Sequence, residues 1–599
     1  MQDKTVKDIY DEYKKEFRKK HPFGKAISFE KFNQLVEKKT KANIHSGIKT
    51  YQFQILCHHS SNGQSPFTSL VLNLREAENE QELKDLAFLI EEVLKRRQKG
   101  VTGSNGESST PLFPKLLYWT CDGLNVKETD PYYYLTKLAA EVITTRMSPD
   151  INSEKITRQI KEGQIIPSMG CRSLLAPLWI EKTYPIDTKF NWQVINEHNP
   201  QYEGAFGPNF DYRRGFGEYS KLPYKKDIVL NFRGNSGWVK EFDTEKKTVT
   251  IIEPKVYGRW NNGVVTINIP MYAGKARIKV NKEHGIDSNE FIKDYKDEYI
   301  QKFYKLFNEG MELCHEALLF RNESCKKIKA KNSPLLWMYG AYLREEDPNK
   351  TLGEMMKEHP GYNSISLGYV GLYETCRALT GESNTSKIGQ ELSNNILRWM
   401  NNKVEDWKKE ATEKGDNFYP SIYGTPEEQL THKFALALKK HLGLMEGVTD
   451  HDYVTNSYHV NPAEMITWKD KLNIESQYLN YTKGGAISYI ETDNLQKNPK
   501  VIEEVVKYIH NTISYAEVNT TLGTCFNCGY QGDFYLKSND NHDQYYYECP
   551  YCHNVDQNRM LIVMRLCGYI GKVNAGETTH GRMSDFADRQ KVRHIKIAN

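Results

Sequence analysis

Two Cys-x-x-Cys pairs near the C-terminus constrain the fold of this chain more than any other feature of its sequence. Cys525 and Cys528 form the first pair, and Cys549 and Cys552 form the second after twenty residues. Each pair can place two thiolates on one tight turn, and two such turns complete a tetrahedral site, for which zinc is the expected metal. Because no histidine or carboxylate at matching spacing offers an open position on the metal, we predict a structural zinc ribbon.

A candidate radical glycine follows the ribbon in an apolar stretch close to the end of the chain. Gly568 lies within residues 564–571. A glycine α-carbon has no side chain, so it can become a planar radical that is shared with the flanking amide and carbonyl groups. A lone glycine is more often a turn residue, because glycine is the usual choice where φ must be positive. The ribbon before it, and residues 581–583 and 593–594 after it, favour the radical interpretation.

This order of features resembles the C-terminus of anaerobic (class III) ribonucleotide reductases, the oxygen-sensitive glycyl-radical enzymes that make deoxyribonucleoside triphosphates. The resemblance implies a ten-stranded α/β barrel of the glycyl-radical type, followed by a module with the zinc ribbon and a glycyl radical at Gly568. It also implies a separate activase with an iron–sulfur cluster and S-adenosylmethionine. Radical initiation belongs to a cofactor, and the chain has no cysteine triplet of the cluster type, which agrees with an outside activator.

Three further residues match segments of that family. Cys171 lies in a loop of turn-forming residues at 166–175, where a cysteine on its own is more often a small core residue. The resemblance implies that Cys171 becomes the thiyl radical that abstracts the 3′-hydrogen of the ribose. In the formate-dependent subgroup, an asparagine after a Gly-Arg turn and a methionine two residues before the radical cysteine take part. Asn261 and Met169 match those positions, which implies formate as co-substrate.

The segment 422–428 has the residue order of a helix start. Thr425 suits the N-cap, and a proline and two glutamates follow it. Free backbone amides at a helix N-terminus can bind an anion. We therefore predict that Thr425 and Glu427 contribute to a site for the substrate triphosphate, with an ordinary capped helix as the alternative.

The pattern of the chain predicts three regions. Residues 1–59 form a charged helical segment, because their apolar residues recur at three- and four-residue steps. Residues 60–508 form the α/β barrel, since strands and helices alternate there as in a sheet with crossover helices. An insertion at about 181–257, rich in aromatic residues and glycine, interrupts it. Residues 509–599 form the zinc-ribbon and glycyl-radical domain.

Local patterns predict the individual elements of the barrel. The insertion is expected to be a small packed subdomain with a hairpin between 238–242 and 247–252, although its residues 212–216 could instead stack on bases. Strands are predicted at 67–74, 111–119, 333–339 and 364–371, and helices at 80–97, 132–146, 289–321 and 499–514.

The composition excludes several classes of protein. Lys and Arg number 81 against 77 Asp and Glu, and the net charge of +4 is too small for 599 residues to indicate nucleic acid or an anionic membrane. The N-terminus lacks the apolar core of a signal peptide, and no stretch approaches the roughly 18 apolar residues of a membrane span. Eleven cysteines in a long chain suit metal and thiol chemistry in a reducing compartment. We predict a cytoplasmic protein with no membrane and no direct nucleic-acid partner.

Three other classes of protein remain open. A nucleic-acid-binding zinc-ribbon protein would explain the four cysteines, but it predicts a basic domain and gives Cys171 and Gly568 no role. Another glycyl-radical enzyme, such as an acyl lyase, would keep a Gly-Tyr element but would lack the ribbon before it. A catalytically inert subunit that regulates a complete reductase is the third.

The resemblance also indicates a part that these residues do not supply. Family members carry, upstream of the segment that matches 60–67, an opening barrel strand with a second essential cysteine, and helices that bind the nucleotide effector and form the dimer. Only 59 residues precede Ser60, and Cys57 is their one cysteine. A barrel without a strand would expose unpaired backbone and apolar interior. We therefore predict a separate N-terminal polypeptide and a homodimer or higher assembly, the alternative being a truncated product in which 1–50 or 181–257 fills the gap.

Overall fold

A computed structural model gives the fold of most of the chain. The residues that it describes are 6–58, 67–102, 108–161, 163–168, 174, 178–185, 192–194, 228–232, 235–243, 245–256, 260–340, 343–358, 363–416, 418–425, 429–520, 522–540, 544–566, 568, 570–573, 576 and 578–596.

The described residues form fifteen α-helices and twenty-one strands. The helices are Val6–Lys20, Phe29–Cys57, Glu80–Lys99, Tyr133–Arg146, Glu154–Ile160, Ile269–Glu283, Lys296–Lys326, Pro334–Trp337, Leu352–Glu358, Leu372–Thr380, Lys387–Glu413, Leu430–Leu442, Trp468–Ser476, Lys500–Thr512 and His580–Lys591. The strands are β1 Ser69–Leu72, β2 Val101–Thr102, β3 Ser108–Ser109, β4 Lys115–Thr120, β5 Asp150–Ser153, β6 Leu178–Pro185, β7 Trp192–Val194, β8 Ile228–Phe232, β9 Asn235–Asp243, β10 Thr248–Lys255, β11 Asn261–Asn268, β12 Asn363–Val370, β13 Phe418–Gly424, β14 Ser488–Glu491, β15 Tyr515–Asn519, β16 Leu522–Cys525, β17 Gln531–Gly532, β18 Tyr535–Ser538, β19 Tyr545–Glu548, β20 Met560–Arg565 and β21 Ile570–Val573.

Two sheets form the centre of the molecule. The first has the strand order β1-β4-β5-β15-β14, in which neighbours run parallel except for the antiparallel pair β5 and β15. The second is the parallel sheet β11-β12-β13. Every residue of β4 and β12 is buried, as expected for strands that are covered on both faces. We call the first sheet the barrel sheet.

The loop before β14 joins the two sheets. The amide of Gly424, at the end of β13, donates to the carbonyl of Gly485 at 2.9 Å, and the amide of Gly484 donates to the carbonyl of Ile422 at 2.8 Å. The strands therefore form one arc that runs from β1 to β11. Among the described residues, β1 and β11 each pair on one side only. The mixed α/β architecture is confirmed, whereas the closed ten-stranded barrel stays a prediction.

The helices pack on this arc through apolar residues at helical spacing. Tyr299, Phe303 and Phe307 lie one turn apart on the helix Lys296–Lys326, and all three are fully buried. The helix Lys500–Thr512 buries Val505 and its apolar neighbours in the same way. None of the described helices combines the length and the apolar character that crossing a membrane requires.

Most of the predicted barrel elements are confirmed, and one is wrong. Strands and helices occupy the other predicted segments, with ends that differ by a few residues. The predicted strand at 333–339 is instead the short helix Pro334–Trp337. Proline is favoured in the first turn of a helix because its φ suits a helix and its missing N–H would be unpaired there anyway. The buried Trp337 packs edge-on against Trp260, with ring centroids 4.6 Å apart.

The described part of the predicted insertion forms a sheet of its own. Its strand order is β6-β10-β9-β8-β7, and all neighbours are antiparallel. The pairing of β9 with β10 confirms the predicted hairpin between 238–242 and 247–252. Residues 212–216 lie outside the described residues.

The C-terminal module, defined here as the described residues from 522 to 596, consists of two small sheets and a helix. The sheets are β17-β16-β20-β21 and β18-β19, both antiparallel. After the helix His580–Lys591 the chain returns to the barrel sheet, where the amide of His594 donates to the carbonyl of Glu491 at 2.9 Å. The domain boundaries after residues 59 and 508 stay predictions.

Candidate functional site

The four cysteines of the predicted ribbon meet in the C-terminal module. All four sulfur atoms lie within 4.8 Å of one another. The sulfur atoms of Cys525 and Cys552 are 3.6 Å apart, and those of Cys528 and Cys549 are 3.7 Å apart. Tetrahedral zinc with Zn–S bonds of about 2.3 Å separates its sulfur ligands by about 3.8 Å. The site therefore fits a zinc ion held by four thiolates.

The two cysteine turns have the same backbone geometry. The amide of Gly529 donates to the carbonyl of Cys525 at 2.9 Å, and the amide of His553 donates to the carbonyl of Cys549 at 3.0 Å. Gly529 and His553, which each follow the second cysteine of a pair, both have a positive φ, of 76° and 56°. The left-handed conformation favours glycine, and in the second turn His553 adopts it with its ring bonded to Glu548 at 2.8 Å.

Gly568 lies in the turn of a hairpin that shares a sheet with the cysteine turns. Strands β20 and β21 pair antiparallel, with Arg565 opposite Ile570. On its other side β20 pairs with β16, and Cys525 lies opposite Met560. Gly568 is buried. We call residues 560–573 the glycine hairpin.

Four buried charged side chains lie where this hairpin meets the barrel sheet. The Lys115 ammonium group lies 3.0 Å from Asp150 Oδ2 and 2.9 Å from Glu517 Oε1. Arg565 reaches the same two carboxylates, with Nη2 at 3.0 Å from Asp150 Oδ1 and Nε at 3.0 Å from Glu517 Oε2. None of the four side chains is more than 5% exposed. Lys115 Nζ also donates a hydrogen bond to the carbonyl oxygen of Gly568. We call these four side chains the charge cluster.

Strand register explains why two carboxylates lie together in the charge cluster. Tyr515 pairs with Asn152 across β15 and β5, so the antiparallel register sets Glu517 opposite Asp150. Two facing carboxylates repel each other unless cations bridge them. Burial raises the pKa of Glu517 to about 7, against the lowering effect of Arg565. Burial opposes ionisation of Asp150 as well, but Arg565 and Lys115 outweigh it and hold the pKa of Asp150 below its ordinary value.

The loop that contains Cys171 and Met169 is anchored on both sides by described residues. Cys171 and Met169 themselves lie outside the described residues. Before them, Ser168 Oγ donates to Asn152 Oδ1 at 2.9 Å. After them, the amide of Leu174 donates to the carbonyl of Gly484 at 2.9 Å. The loop therefore starts at the barrel sheet and ends at the segment that joins the two sheets.

The anchor of this loop and the glycine hairpin attach to the same face of β5. Asp150 and Asn152 are two residues apart on this strand, and alternate residues of a strand point to one face. Asn152 binds Ser168, and Asp150 binds Lys115, which holds the Gly568 carbonyl. One strand face thus carries the start of the predicted thiyl loop and the contact to the predicted radical glycine.

Asn261 lies at the beginning of β11, and its side chain is bonded at both ends. Its amide nitrogen donates to Ser366 Oγ at 2.7 Å, and its amide oxygen accepts from the backbone N–H of Gly263 at 3.0 Å. These bonds fix the orientation of the side chain near the start of the parallel sheet.

Thr425 lies beyond the other end of the same sheet. It is 3% exposed, and its hydroxyl group lies 3.4 Å from that of Thr266. Gly368 fits between them only because it has no side chain, since a Cβ there would lie 2.0 Å from Thr425 Oγ1. Thr266 follows Asn261 by five residues of strand, or about 16 Å, so Asn261 and Thr425 do not meet.

The predicted N-cap role of Thr425 is wrong. The helix that follows is Leu430–Leu442, and Gln429 is its N-cap residue. Thr425 directly follows Gly424, the last residue of β13, so four residues separate it from the first residue of the described helix. Glu427 lies outside the described residues.

The sequence analysis missed the charge cluster. Two of its members are single charged residues in buried strands, Lys115 at the start of β4 and Glu517 within β15. Because fully buried charges are rare unless they are paired, a charge in a strand of this type indicates a partner. The sequence does not identify which partner, since the contact between Lys115 and Gly568 spans 453 residues.

Comparison with known proteins places the chain among reductases. The family model for anaerobic ribonucleoside-triphosphate reductase matches residues 10–592. The anaerobic ribonucleoside-triphosphate reductase of Enterobacteria phage T4 is 29% identical over 556 residues, which cover 93% of this chain and 73% of the relative. That of Haemophilus influenzae is 28% identical over 551 residues, which cover 92% of this chain and 61% of the relative.

A solved structure supports the same grouping at the level of the fold. The chain aligns with a structure of an anaerobic ribonucleotide reductase with a TM-score of 0.51 and 14% identity, over 93% of this chain and 66% of that chain. Both chains therefore share a fold. Because the family model matches nearly the whole length, the chain belongs to the family of anaerobic ribonucleoside-triphosphate reductases.

Proposed function

We propose that this chain catalyses the anaerobic reduction of ribonucleoside triphosphates to deoxyribonucleoside triphosphates in the cytoplasm by a glycyl and thiyl radical mechanism. Membership of the family supports the reaction. The observation that carries the mechanism is the common attachment to β5, where the contact to the buried Gly568 and the anchor of the Cys171 loop share one strand face. Burial also suits a carbon radical that must be kept from oxygen.

The proposed route moves one hydrogen atom at a time. The Gly568 radical takes the hydrogen atom of the Cys171 thiol, which leaves a sulfur radical and an intact glycine. The sulfur radical then takes the 3′-hydrogen of the ribose. The 2′-hydroxyl group leaves as water with a proton, and the sugar radical is reduced before the hydrogen atom returns from Cys171 to the 3′-carbon.

We propose formate as the source of the two electrons. Formic acid and a ribonucleoside triphosphate then give carbon dioxide, water and the deoxyribonucleoside triphosphate, which balances the reaction. Asn261, with its side chain fixed by Ser366 and the backbone of Gly263, is proposed to orient the sugar or the formate. Met169, two residues before Cys171, is proposed to take part in the same reducing step.

Thr425 and Glu427 are proposed to bind the triphosphate of the substrate. The proposed role of Thr425 does not depend on its being an N-cap residue. Its support is its position in a cluster of small residues with Thr266 and Gly368, next to which a ligand can approach the backbone closely. Phosphate oxygens accept hydrogen bonds from hydroxyl groups and from backbone amides.

The four cysteines are proposed to bind a structural zinc ion, and an activase with an iron–sulfur cluster and S-adenosylmethionine is proposed to generate the radical. The donor set fits zinc because four thiolates at tetrahedral spacing leave no open position. This chain supplies the glycine on a hairpin that shares strand β16 with the metal site.

We also propose that a separate N-terminal polypeptide completes the arc of strands and brings a second cysteine and the effector site, in a dimer or higher assembly. The support is the edge of β1, where an apolar groove of about 330 Å³ opens between β1 and two helices. Leu70 and Leu72 of β1, and Leu86 and Leu89 of the helix Glu80–Lys99, line this groove.

Electron paramagnetic resonance tests the central proposal. After anaerobic treatment with an activase and S-adenosylmethionine, the chain should show a doublet from an α-hydrogen-coupled carbon radical. Gly568→Ala should show no signal. Cys171→Ser should keep the doublet but, unlike the wild type, form no deoxynucleotide when it is assayed with the proposed second polypeptide, because the O–H bond of serine is too strong to replace a thiol. A wild-type chain that reduces nucleotides without any glycine radical would refute the mechanism.

A further inference from the structure

None of the reaction steps above uses the charge cluster, although it lies where the glycine hairpin meets the barrel sheet. We propose that Lys115 is a positioning residue for the radical glycine: its ammonium group binds the Gly568 carbonyl oxygen and, together with Arg565, holds the glycine hairpin on the barrel sheet. The proposal rests on the proposed function in one respect, namely that Gly568 carries the radical.

The origin of the charges supports this role. Lys115, Asp150 and Glu517 belong to strands of the barrel sheet, whereas Arg565 belongs to the glycine hairpin. With the hairpin in place the cluster holds two cations and two carboxylates. Without Arg565 one ammonium group would face two buried carboxylates, and an unbalanced buried charge is costly. Docking of the hairpin therefore supplies the second cation for the two carboxyl groups next to Gly568.

Apolar contacts and one further hydrogen bond hold the same hairpin. Val563 and Ile570 pack with Met147 in a buried apolar cluster. Arg565 also donates a hydrogen bond to the carbonyl oxygen of Met147. Replacing Lys115 alone should therefore loosen the turn at Gly568 without releasing the whole C-terminal module.

The contact also has an electronic consequence. An α-carbon radical shares its unpaired electron with the adjacent carbonyl oxygen. A hydrogen bond from an ammonium group is charge-assisted and stronger than a neutral one, so it strengthens the electron withdrawal of the carbonyl and shifts spin density from the α-carbon into the flanking peptide groups. Loss of the Lys115 contact should widen the doublet, because the α-hydrogen coupling follows the spin density on carbon.

Lys115→Met in the full chain tests the proposal with two readouts. Hydrogen–deuterium exchange of residues 566–573 should become at least tenfold faster, the factor that corresponds to losing a hydrogen bond to a charged group. After activation, the doublet should be wider than in the wild type. Lys471→Met is the matched control, since Lys471 is also about 5% exposed and also bonds to a buried carboxylate, that of Glu475. It should change neither readout.

A second variant tests the proposal if Lys115→Met does not fold. Lys115→Met combined with Glu517→Gln keeps one cation and one carboxylate in the charge cluster and should reproduce both effects. Wild-type exchange and an unchanged doublet in the folded variant would overturn the proposal. If no chain, wild type included, gives a radical, the proposed function fails, and the exchange measurement still decides whether Lys115 holds the turn.

Discussion

At the scale of single residues, the proposed radical at Gly568 makes the backbone sensitive to oxygen. Oxygen adds to a carbon radical, and the product breaks down by cleavage of the backbone. We expect activated protein that is exposed to air to be cut at Gly568, and mass spectrometry should show the loss of residues from 568 onward. Gly568→Ala should never be cut. An intact chain after a verified radical has been quenched by air would contradict the assignment.

The second prediction at this scale concerns Thr425. Thr425→Val keeps the shape of the buried side chain and removes only the hydroxyl group. If this group binds the triphosphate, the KM for the nucleotide should rise about tenfold or more, since a hydrogen bond to a charged group is lost, while kcat changes little. Steady-state kinetics measures both. Thr482→Val, at a buried threonine that donates to the Tyr478 carbonyl, is the control. Equal KM values in Thr425→Val and wild type would exclude the role.

At the scale of elements, the sheet β17-β16-β20-β21 connects the metal site to the glycine. Cys525 ends β16, which pairs with β20, and β20 leads into the turn with Gly568. Since folding of small zinc sites is coupled to metal binding, Cys525→Ser should abolish the glycyl radical while the barrel sheet stays folded by circular dichroism. Cys314→Ser, at a partly buried cysteine on the helix Lys296–Lys326, should keep the radical. A full radical yield in zinc-free protein would be incompatible with this link.

The end of the chain gives a prediction for pH. Nδ1 of His594 accepts a hydrogen bond from the backbone N–H of Glu491 at 2.9 Å. Burial, assisted by the nearby Lys471, lowers the pKa of His594 to about 3, from 6.5 in the unfolded chain. As the pH falls below 6.5, the unfolded state binds a proton that the folded state does not, so stability is lost by at most about 1.4 kcal/mol per pH unit.

Thermal unfolding at pH 7.5 and 5.5 tests whether stability falls with pH in this way. His594→Asn keeps an acceptor near the Glu491 amide and cannot titrate, so its midpoint should fall less between the two pH values than that of the wild type. His45→Asn, at an exposed histidine, should behave as the wild type does. An equal fall in all three proteins would show that His594 does not titrate on unfolding.

Elements that depend on local spacing could be predicted from the sequence, and contacts that depend on register could not. The cysteine turns follow from residues three positions apart, and the hairpin of β9 and β10 follows from alternation and a turn. The N-cap role of Thr425 was predicted wrongly, because the Thr-Pro-Glu-Glu order does not determine where the next helix begins, which is at Leu430. The contact between Lys115 and Gly568 depends on two sheets that meet only in the folded chain, and no local pattern encodes it.

At the scale of the whole molecule, the open edge at β1 gives the last prediction. If a separate polypeptide completes the arc as proposed, the chain alone, with activase and formate, should be inactive, because β1 pairs on one side only among the described residues and lies beside an apolar groove. Addition of the proposed polypeptide, with its second cysteine, should restore reduction of a ribonucleoside triphosphate. Leu89→Asp, on the groove, should weaken this rescue, whereas Leu336→Asp, at a leucine of similar exposure (36% against 38%) on the short helix Pro334–Trp337, should not. Full turnover by the chain alone would refute the split.

The chain enters and leaves the C-terminal module at two neighbouring strands of the barrel sheet. The chain enters it from β15, and it returns through His594 to Glu491 at the end of β14, the strand beside β15. Neighbouring strands lie about 4.8 Å apart, so both ends of the module are tethered close together. If the contacts of the glycine hairpin with the barrel sheet break, these tethers keep the hairpin near β5. Its return to β5 is then an intramolecular event whose effective concentration is set by the tether and not by diffusion.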